Sequence, residues 1–233
     1  MLIPFSAQRR GHTQLGWLDS HHSFSFGEFY DPERMGVSVL RVINDDVVHG
    51  GGGFGAHPHR DMEIITYMVE GTIEHRDSLG NIKRIEPGEV QRMSAGTGIT
   101  HSEYNASDSE SLRLLQIWIK PAQQNLPPSY EQKRVVDPNV RGLNWIVSGD
   151  NVPNTLHIHQ DVRIARLAEA GSHELPIEAN RIGYIQVVRG AVTVGEQRLD
   201  VGDGLAVVDQ RNVPVELADD SEILWFDLPG RVH

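Results

Sequence analysis

The feature that most constrains this chain is a degenerate internal repeat written in β periodicity. Tyr67-Met-Val-Glu-Gly-Thr-Ile-Glu74 is followed by Ile85-Glu-Pro-Gly-Glu89, and Gln186-Val-Val-Arg-Gly-Ala-Val-Thr193 by Leu199-Asp-Val-Gly-Asp203. Each copy reads as a strand, a glycine at a tight bend, a second strand and a Gly-acid turn. Two copies of one hairpin plan predict two similar β-barrels made by duplication. Elsewhere, runs such as Val37–Ile43, Ile64–Val69 and Leu114–Ile119 are rich in β-branched and aromatic residues and are bounded by Gly, Pro, Asn and Asp. No long stretch carries a 3.6-residue apolar period, so the expected fold class is all-β, a sandwich or barrel. The natural linker is the proline-bearing polar segment from Pro121 to Arg141. The expected units are residues 1–125, a linker at 126–142 and a second barrel over 143–233.

Composition narrows the function classes. Twenty-one basic against 32 acidic residues leave a formal charge of −11, which disfavours binding to nucleic acid phosphates. No run of 18 apolar residues predicts a membrane span. The N-terminus, Met1-Leu-Ile-Pro-Phe-Ser6, lacks an apolar region followed by a small-residue cleavage site, so a cytoplasmic location is expected. There is no cysteine, which excludes disulfides, thiolate metal sites and Cys nucleophiles. Any metal must be held by nitrogen and oxygen.

Twelve histidines are present, and position decides which matter. His57-Pro-His59 is followed about forty residues later by His101-Ser-Glu103. In a strand, residues i and i+2 point to one face. If the two strands meet inside one barrel, His57, His59, His101 and Glu103 converge. Three neutral imidazoles and one carboxylate suit a divalent first-row metal. An octahedral ion would keep two open positions and a net charge of +1, favouring an anionic or deprotonated ligand. Pro58 removes a ladder donor and places the His57 strand at an edge or rim.

Other candidates have plainer readings. His157-Ile-His159 has no matching His-x-Glu downstream and is expected at the surface or an interface. His12, His21 and His22 are expected to serve hydrogen-bonded structural roles, and His75 to face out or pair with Asp77. Gly50–Gly53 lacks the Lys-Ser/Thr of a phosphate loop and reads as a flexible rim loop. Ser94-Ala-Gly-Thr-Gly98 reads as a tight turn that lets the backbone approach the metal cavity. Trp17, Phe24, Phe26 and Met93 suit either the cavity mouth or the core. No G-x-S-x-G motif occurs.

The run Gly51–Gly71 with Pro87-Gly88 and Gly96-Thr-Gly98-Ile-Thr-His101-Ser-Glu103-Tyr-Asn105 resembles the two motifs of the cupin superfamily. The combination is most similar to the pirin family, through His57-Pro-His59-Arg60, Glu63, Glu70-Gly71, Pro87-Gly88-Glu89, Ser94–Ile99, His101-Ser-Glu103 and Leu115-Gln-Ile-Trp118. Trp17-Leu-Asp-Ser20, Ser23-Phe-Ser-Phe26, Tyr30-Asp-Pro32 and Arg41-Val-Ile-Asn-Asp45 match its bacterial members. The resemblance spans nearly the whole chain. It implies a bicupin of two tandem jelly-roll-like barrels, with one metal in the N-terminal cupin on His57, His59, His101 and Glu103. Iron is the ion the resemblance favours, and Ni, Cu, Mn or Zn suit the same donors. Glu63 is read as supporting the site or the fold. The second copy keeps only His173 near its first hairpin, and Asn212-Val-Pro-Val215 stands where His101 would be, so a metal-free C-terminal cupin is expected.

The implied activity is cleavage of a flavonol such as quercetin with dioxygen, with Glu103 as general base toward the substrate hydroxyl. The alternative is a metal-dependent regulatory protein, with iron's oxidation state altering a surface that meets a transcription factor or metabolic enzyme. The acidic surface suits such a protein partner.

Overall fold

The computed structural model describes residues 1–137 and 139–230; Pro138, within the expected linker, lies outside them. Among the described residues the regular structure is all strand apart from one short 3-10 turn, Ala7–Arg9, and no helix is long and apolar enough to cross a membrane.

Two barrels of one plan stand side by side. Each has a seven-stranded and a four-stranded sheet. In the first barrel the small sheet runs Gly53–His59, Ile99–Asn105, Ile73–Asp77, Ile82–Ile85. In the second it runs Gly171–Leu175, Val213–Leu217, Ala191–Val194, Gln197–Asp200. The order is the same, as the repeat predicts, and the fold class is all-β.

The two large sheets pack face to face. Ile43, Ile65, Tyr67, Leu115 and Ile117 of one meet Ile146, Ile164, Tyr184, Leu224 and Phe226 of the other in a single buried cluster. Alternation along each strand decides which residues go where. On Glu63–Glu70 the odd-numbered residues face the second barrel, while Ile64, Thr66 and Met68 point into the first. Glu63 therefore faces the neighbouring barrel. It accepts a hydrogen bond from Ser94 Oγ at 2.9 Å and one from the His159 backbone at 3.3 Å, so His157-Ile-His159 sits at the barrel contact.

The sheet edges depart from the expected units. Ser129–Arg134, expected within the linker, is a strand paired antiparallel to Glu89–Ser94 of the first barrel. Leu2–Phe5, expected in the first unit, pairs antiparallel with Gly204–Val208 of the second. Each barrel thus completes its large sheet with a segment lying outside its expected boundaries. The physical reason is the open edge of Glu89–Ser94 and of Gly204–Val208, whose N–H and C=O groups need partners. Phe5 anchors the exchange, with its ring 5.5 Å from Phe24 and 5.8 Å from Tyr184.

Two glycine segments also differ from expectation. Gly96, at φ 46°, turns beneath Leu126, whose carbonyl oxygen stands 1.9 Å from where a Cβ would be. That close approach serves the chain leaving the barrel, not the metal cavity. Gly50 and Gly53 lie tight against Ser109 and Tyr104, so the rim loop is packed rather than loose.

Phe5→Ala is expected to cost about 3 kcal/mol, as truncation of a buried phenylalanine does. Hydrogen exchange should then accelerate at Gly204–Val208 before Glu89–Ser94. Faster opening of Glu89–Ser94 would contradict the assignment of the N-terminal strand to the second barrel.

Candidate metal centre and its cavity

Ile99–Asn105 lies between Gly53–His59 and Ile73–Asp77, with His101 opposite both His57 and Asp77, and Glu103 opposite Phe54 and His75. The register against Gly53–His59 shifts between His101 and Glu103, with two residues of that strand facing Ser102 alone. This bulge carries an extra residue, Gly55 or Ala56, and re-aims the histidine strand toward the barrel interior. Along Ile99–Asn105 burial alternates strictly, with Ile99, His101, Glu103 and Asn105 inside.

The structure brings the three predicted histidines together. Ligand atoms of His57, His59 and His101 all lie within 4.8 Å of one another, and His59 Nε2 stands 2.9 Å from His101 Nε2. His57 Nδ1 donates to the Gly55 carbonyl at 2.7 Å, which leaves its Nε2 lone pair free. Burial and the neighbouring imidazoles push His59 down to about 4 and His101 down to about 3. Both rings are neutral at pH 7, and their lone pairs face one point. This donor set fits a divalent first-row metal. Glu103 is buried at the same site and groups with His101 and His75. Both its oxygens accept from Gln116 Nε2, at 3.0 and 3.3 Å.

Glu103 is oriented through the barrel wall. Gln116 Oε1 accepts from Thr66 and Thr66 Oγ1 accepts from Gln91 Nε2, while the Tyr130 hydroxyl shares its one hydrogen between Gln132 Oε1 at 2.9 Å and Gln91 Oε1 at 3.2 Å. Donor and acceptor match at every step, so the Gln116 amide has one orientation, with its NH₂ toward Glu103. Tyr130 belongs to the strand that was expected to be linker.

The centre opens on a cavity of about 880 Å³. Phe26, Phe54 and Trp118 form its apolar wall, while Ser20, His22, Asn44 and Asp46 form a polar one. Trp118 stands edge-on to His59 at 5.0 Å and to Phe26 at 5.4 Å. Its Nε1 is buried without a hydrogen-bond partner. His22 lies between Asn44 Oδ1 at 2.8 Å and Thr13 Oγ1 at 2.9 Å, and Ser20 donates to Asp46. Of the aromatic candidates, Phe26 lines the cavity, Phe24 lies in the core between the barrels, Met93 packs with Ile64 and Ile99, and Trp17 packs against Phe54 at 5.0 Å.

Sequence reasoning missed the polar wall and the place of His75. Polar residues at alternate positions, Ser20 and His22 on one strand and Asn44 and Asp46 on the next, were the available signal. A core-facing strand that carries polar groups at period two lines a wet cavity. His75 is fully buried against His101 and does pair with Asp77, at 2.9 Å.

In the second barrel Val215 pairs with Val194 where Glu103 pairs with His75 in the first. Val213 precedes Val215 on the same face. Trp225, fully buried, fills the interior, and Gly183 makes room for it.

The comparisons with known proteins place the chain. Residues 5–119 match the Pirin family model and 145–228 the model of the quercetinase C-terminal cupin domain. The quercetin 2,3-dioxygenase of Escherichia coli O157:H7 is 50% identical, over 98% of this chain and 99% of that protein. The chain belongs to the pirin family. The pirin-like protein of Caulobacter vibrioides is 38% identical over 93% of this chain and 95% of its own length. The crystal structure of the bacterial pirin YhhW from Escherichia coli in complex with nickel(II) superposes with a TM-score of 0.94. It is 48% identical, covering 99% of this chain and all of that one. The bicupin architecture expected from the resemblance is that of this relative.

Burial pushes the Asp46 carboxyl up to about 7, against the hydrogen bond from Ser20. In the unfolded chain an aspartate titrates near 3.9. Between these values the folded protein holds the proton more tightly, so this contribution to stability is fully present below pH ~4 and is lost as pH rises through ~7. Urea unfolding of metal-free Asp46→Asn and wild type at pH 4 to 8 is expected to show the variant gaining relative stability with pH, by a few kcal/mol in order of magnitude. A constant difference across that range would mean that Asp46 is ionised in the folded protein throughout.

Proposed function

We propose that this chain is a metal-dependent dioxygenase of the quercetin 2,3-dioxygenase type, acting on a flavonol with dioxygen. One divalent ion, iron by preference, would be held by His57, His59, His101 and Glu103. The observation that carries the reading is the convergence of three imidazoles, with the buried Glu103 carboxylate beside His101, at the wall of a large cavity with aromatic lining. The E. coli relatives support it, one through the activity in its name and one through its nickel complex.

When bound, the metal would act as a Lewis acid that lowers the pKa of a hydroxyl group reaching it. The residues supply the rest. Glu103, held by Gln116, is the one predicted acid at the centre and takes the substrate hydroxyl proton. Phe26, Phe54 and Trp118 give the cavity an apolar aromatic wall against which a flat aromatic ring packs. The size and aromatic wall of the cavity favour a small-molecule enzyme over a purely regulatory protein, since a redox-dependent docking surface needs no such volume.

The test is oxygen uptake and carbon monoxide release with quercetin on protein loaded in turn with Fe, Ni, Cu, Mn and Zn. Wild type is expected to turn over with at least one loading. His101→Ala is expected to lose both metal, by elemental analysis, and activity. Glu103→Gln should retain part of its metal and fall at least ~10²-fold in turnover. Stoichiometric metal with no oxygen uptake under any loading would reject the enzyme and leave the regulatory reading.

A further inference from the structure

Beside the candidate ligands lies a buried pair that the reading above does not use. His75 and Asp77 sit on the strand Ile73–Asp77, next to His101, and both side chains are fully buried. His101 Nδ1 is 3.4 Å from His75 Nδ1, and His75 Nε2 is 2.9 Å from Asp77 Oδ2. The opposite side of His101 is taken, since its Nε2 faces His59.

The protons along this line can be placed by elimination. Asp77 Oδ1 accepts from the backbone N–H groups of Leu79 and Asn81 at 2.9 and 3.0 Å, and the Asn81 side-chain amide donates to both carboxylate oxygens. With donors arrayed around it, the carboxylate acts as acceptor, so His75 Nε2 carries a hydrogen and donates it. With a single ring hydrogen, on Nε2, His75 turns a bare lone pair on Nδ1 toward His101 Nδ1. The bond between the two rings forms only if His101 Nδ1 carries the hydrogen. His101 Nε2 is thereby left unprotonated, with its lone pair aimed at His57 and His59.

We infer that His75 and Asp77 form a positioning relay that locks His101 into its Nδ1–H tautomer and aims Nε2 at the metal. Metal-bound histidines commonly donate their second nitrogen to a carboxylate or carbonyl, which fixes the ring and raises its basicity. Here the carboxylate acts through an intervening imidazole. The relay is assembled by tertiary structure. Tyr130, from the exchanged strand, covers His75 with ring centroids 4.9 Å apart. Asp77 also holds the turn at Leu79–Asn81, so one carboxylate sets both the turn and the ligand. The geometry separates this role from direct ligation by His75, whose two nitrogens are engaged by His101 and Asp77.

The inference rests on His101 being a metal ligand, and the tests keep the two claims apart. In zinc-loaded wild type, long-range proton–nitrogen NMR is expected to show His101 protonated at Nδ1 and bound through Nε2. His75 is expected to be protonated at Nε2 with a free Nδ1. Coordination through His101 Nδ1, or a His75 nitrogen bound to zinc, would overturn the relay without any variant. In Asp77→Asn an amide N–H faces His75 Nε2, or the amide oxygen leaves the turn. The first arrangement moves the His75 hydrogen to Nδ1, against His101. Zinc affinity in a competition assay, run below the melting temperature of the metal-free variant, is expected to fall roughly 10–100-fold, and the NMR spectrum is expected to lose the single Nδ1–H tautomer of His101. Wild-type affinity in Asp77→Asn would overturn the relay alone, provided that His101→Ala loses zinc. Undiminished zinc binding in His101→Ala would instead overturn the ligand assignment.

Discussion

The pairing of Ile99–Asn105 between Gly53–His59 and Ile73–Asp77 governs the chemistry this molecule can support. The antiparallel register sets His101 opposite His57 on one side and Asp77 on the other, and Glu103 opposite His75. Because side chains alternate with a period of two, a slip of one residue would turn His101 and Glu103 outward and bring Thr100 and Ser102 in. The bulge opposite Ser102 adds the twist that lets His57 and His59 reach the same point from an edge strand. Four polar side chains are thus held in a barrel interior by backbone hydrogen bonds rather than by their own attractions.

Barrel interiors tolerate such groups only when each is satisfied. In the first barrel Gln116, Thr66, Gln91 and Tyr130 pass hydrogen bonds in one direction to Glu103, and Asp77 anchors the line from His75 to His101. The second barrel keeps the scaffold and carries apolar residues at the matching positions. Val213, Val215, Val194 and Trp225 fill the space, which converts a site into a packed core. This barrel offers the apolar face on which the large sheet of the first barrel lies, and an edge for the N-terminal strand. The N-terminal strand makes the barrels interdependent, since Leu2–Phe5 completes the large sheet of the second barrel before the chain builds the first.

The legible part of this design was local. Strand period, turn glycines and the repeated hairpin led to two like barrels, and the i,i+2 spacing of His57 with His59 and of His101 with Glu103 led to one candidate site, in which the three histidines come together. Both signals survive in sequence because alternation is a property of the strand itself. The turn at Ser94–Gly98 was legible as a turn, but what it approached was not, since Leu126 comes from a separate part of the chain. Glu63, near His59 in sequence and not matched to the carboxylate ligand, was open to a role at the site or in the fold. Its position in the pleat, which sequence spacing to a histidine across a turn does not determine, turned it toward the second barrel.

By itself the sequence determined the fold class, the duplication and the identity of the candidate ligands, because each follows from residue types at short spacing. The tertiary structure alone decided three things. It paired Leu2–Phe5 with the second barrel and drew Ser129–Arg134 out of the expected linker into the first, because open sheet edges are filled by whichever strand geometry delivers. It gathered Ser20, His22, Asn44, Asp46 and Trp118 into one cavity from strands far apart in the chain. It also buried His75 between His101 and Asp77, beside the candidate ligands. Sequence carries which groups exist; which lone pair faces which proton is set only when the strands are in register.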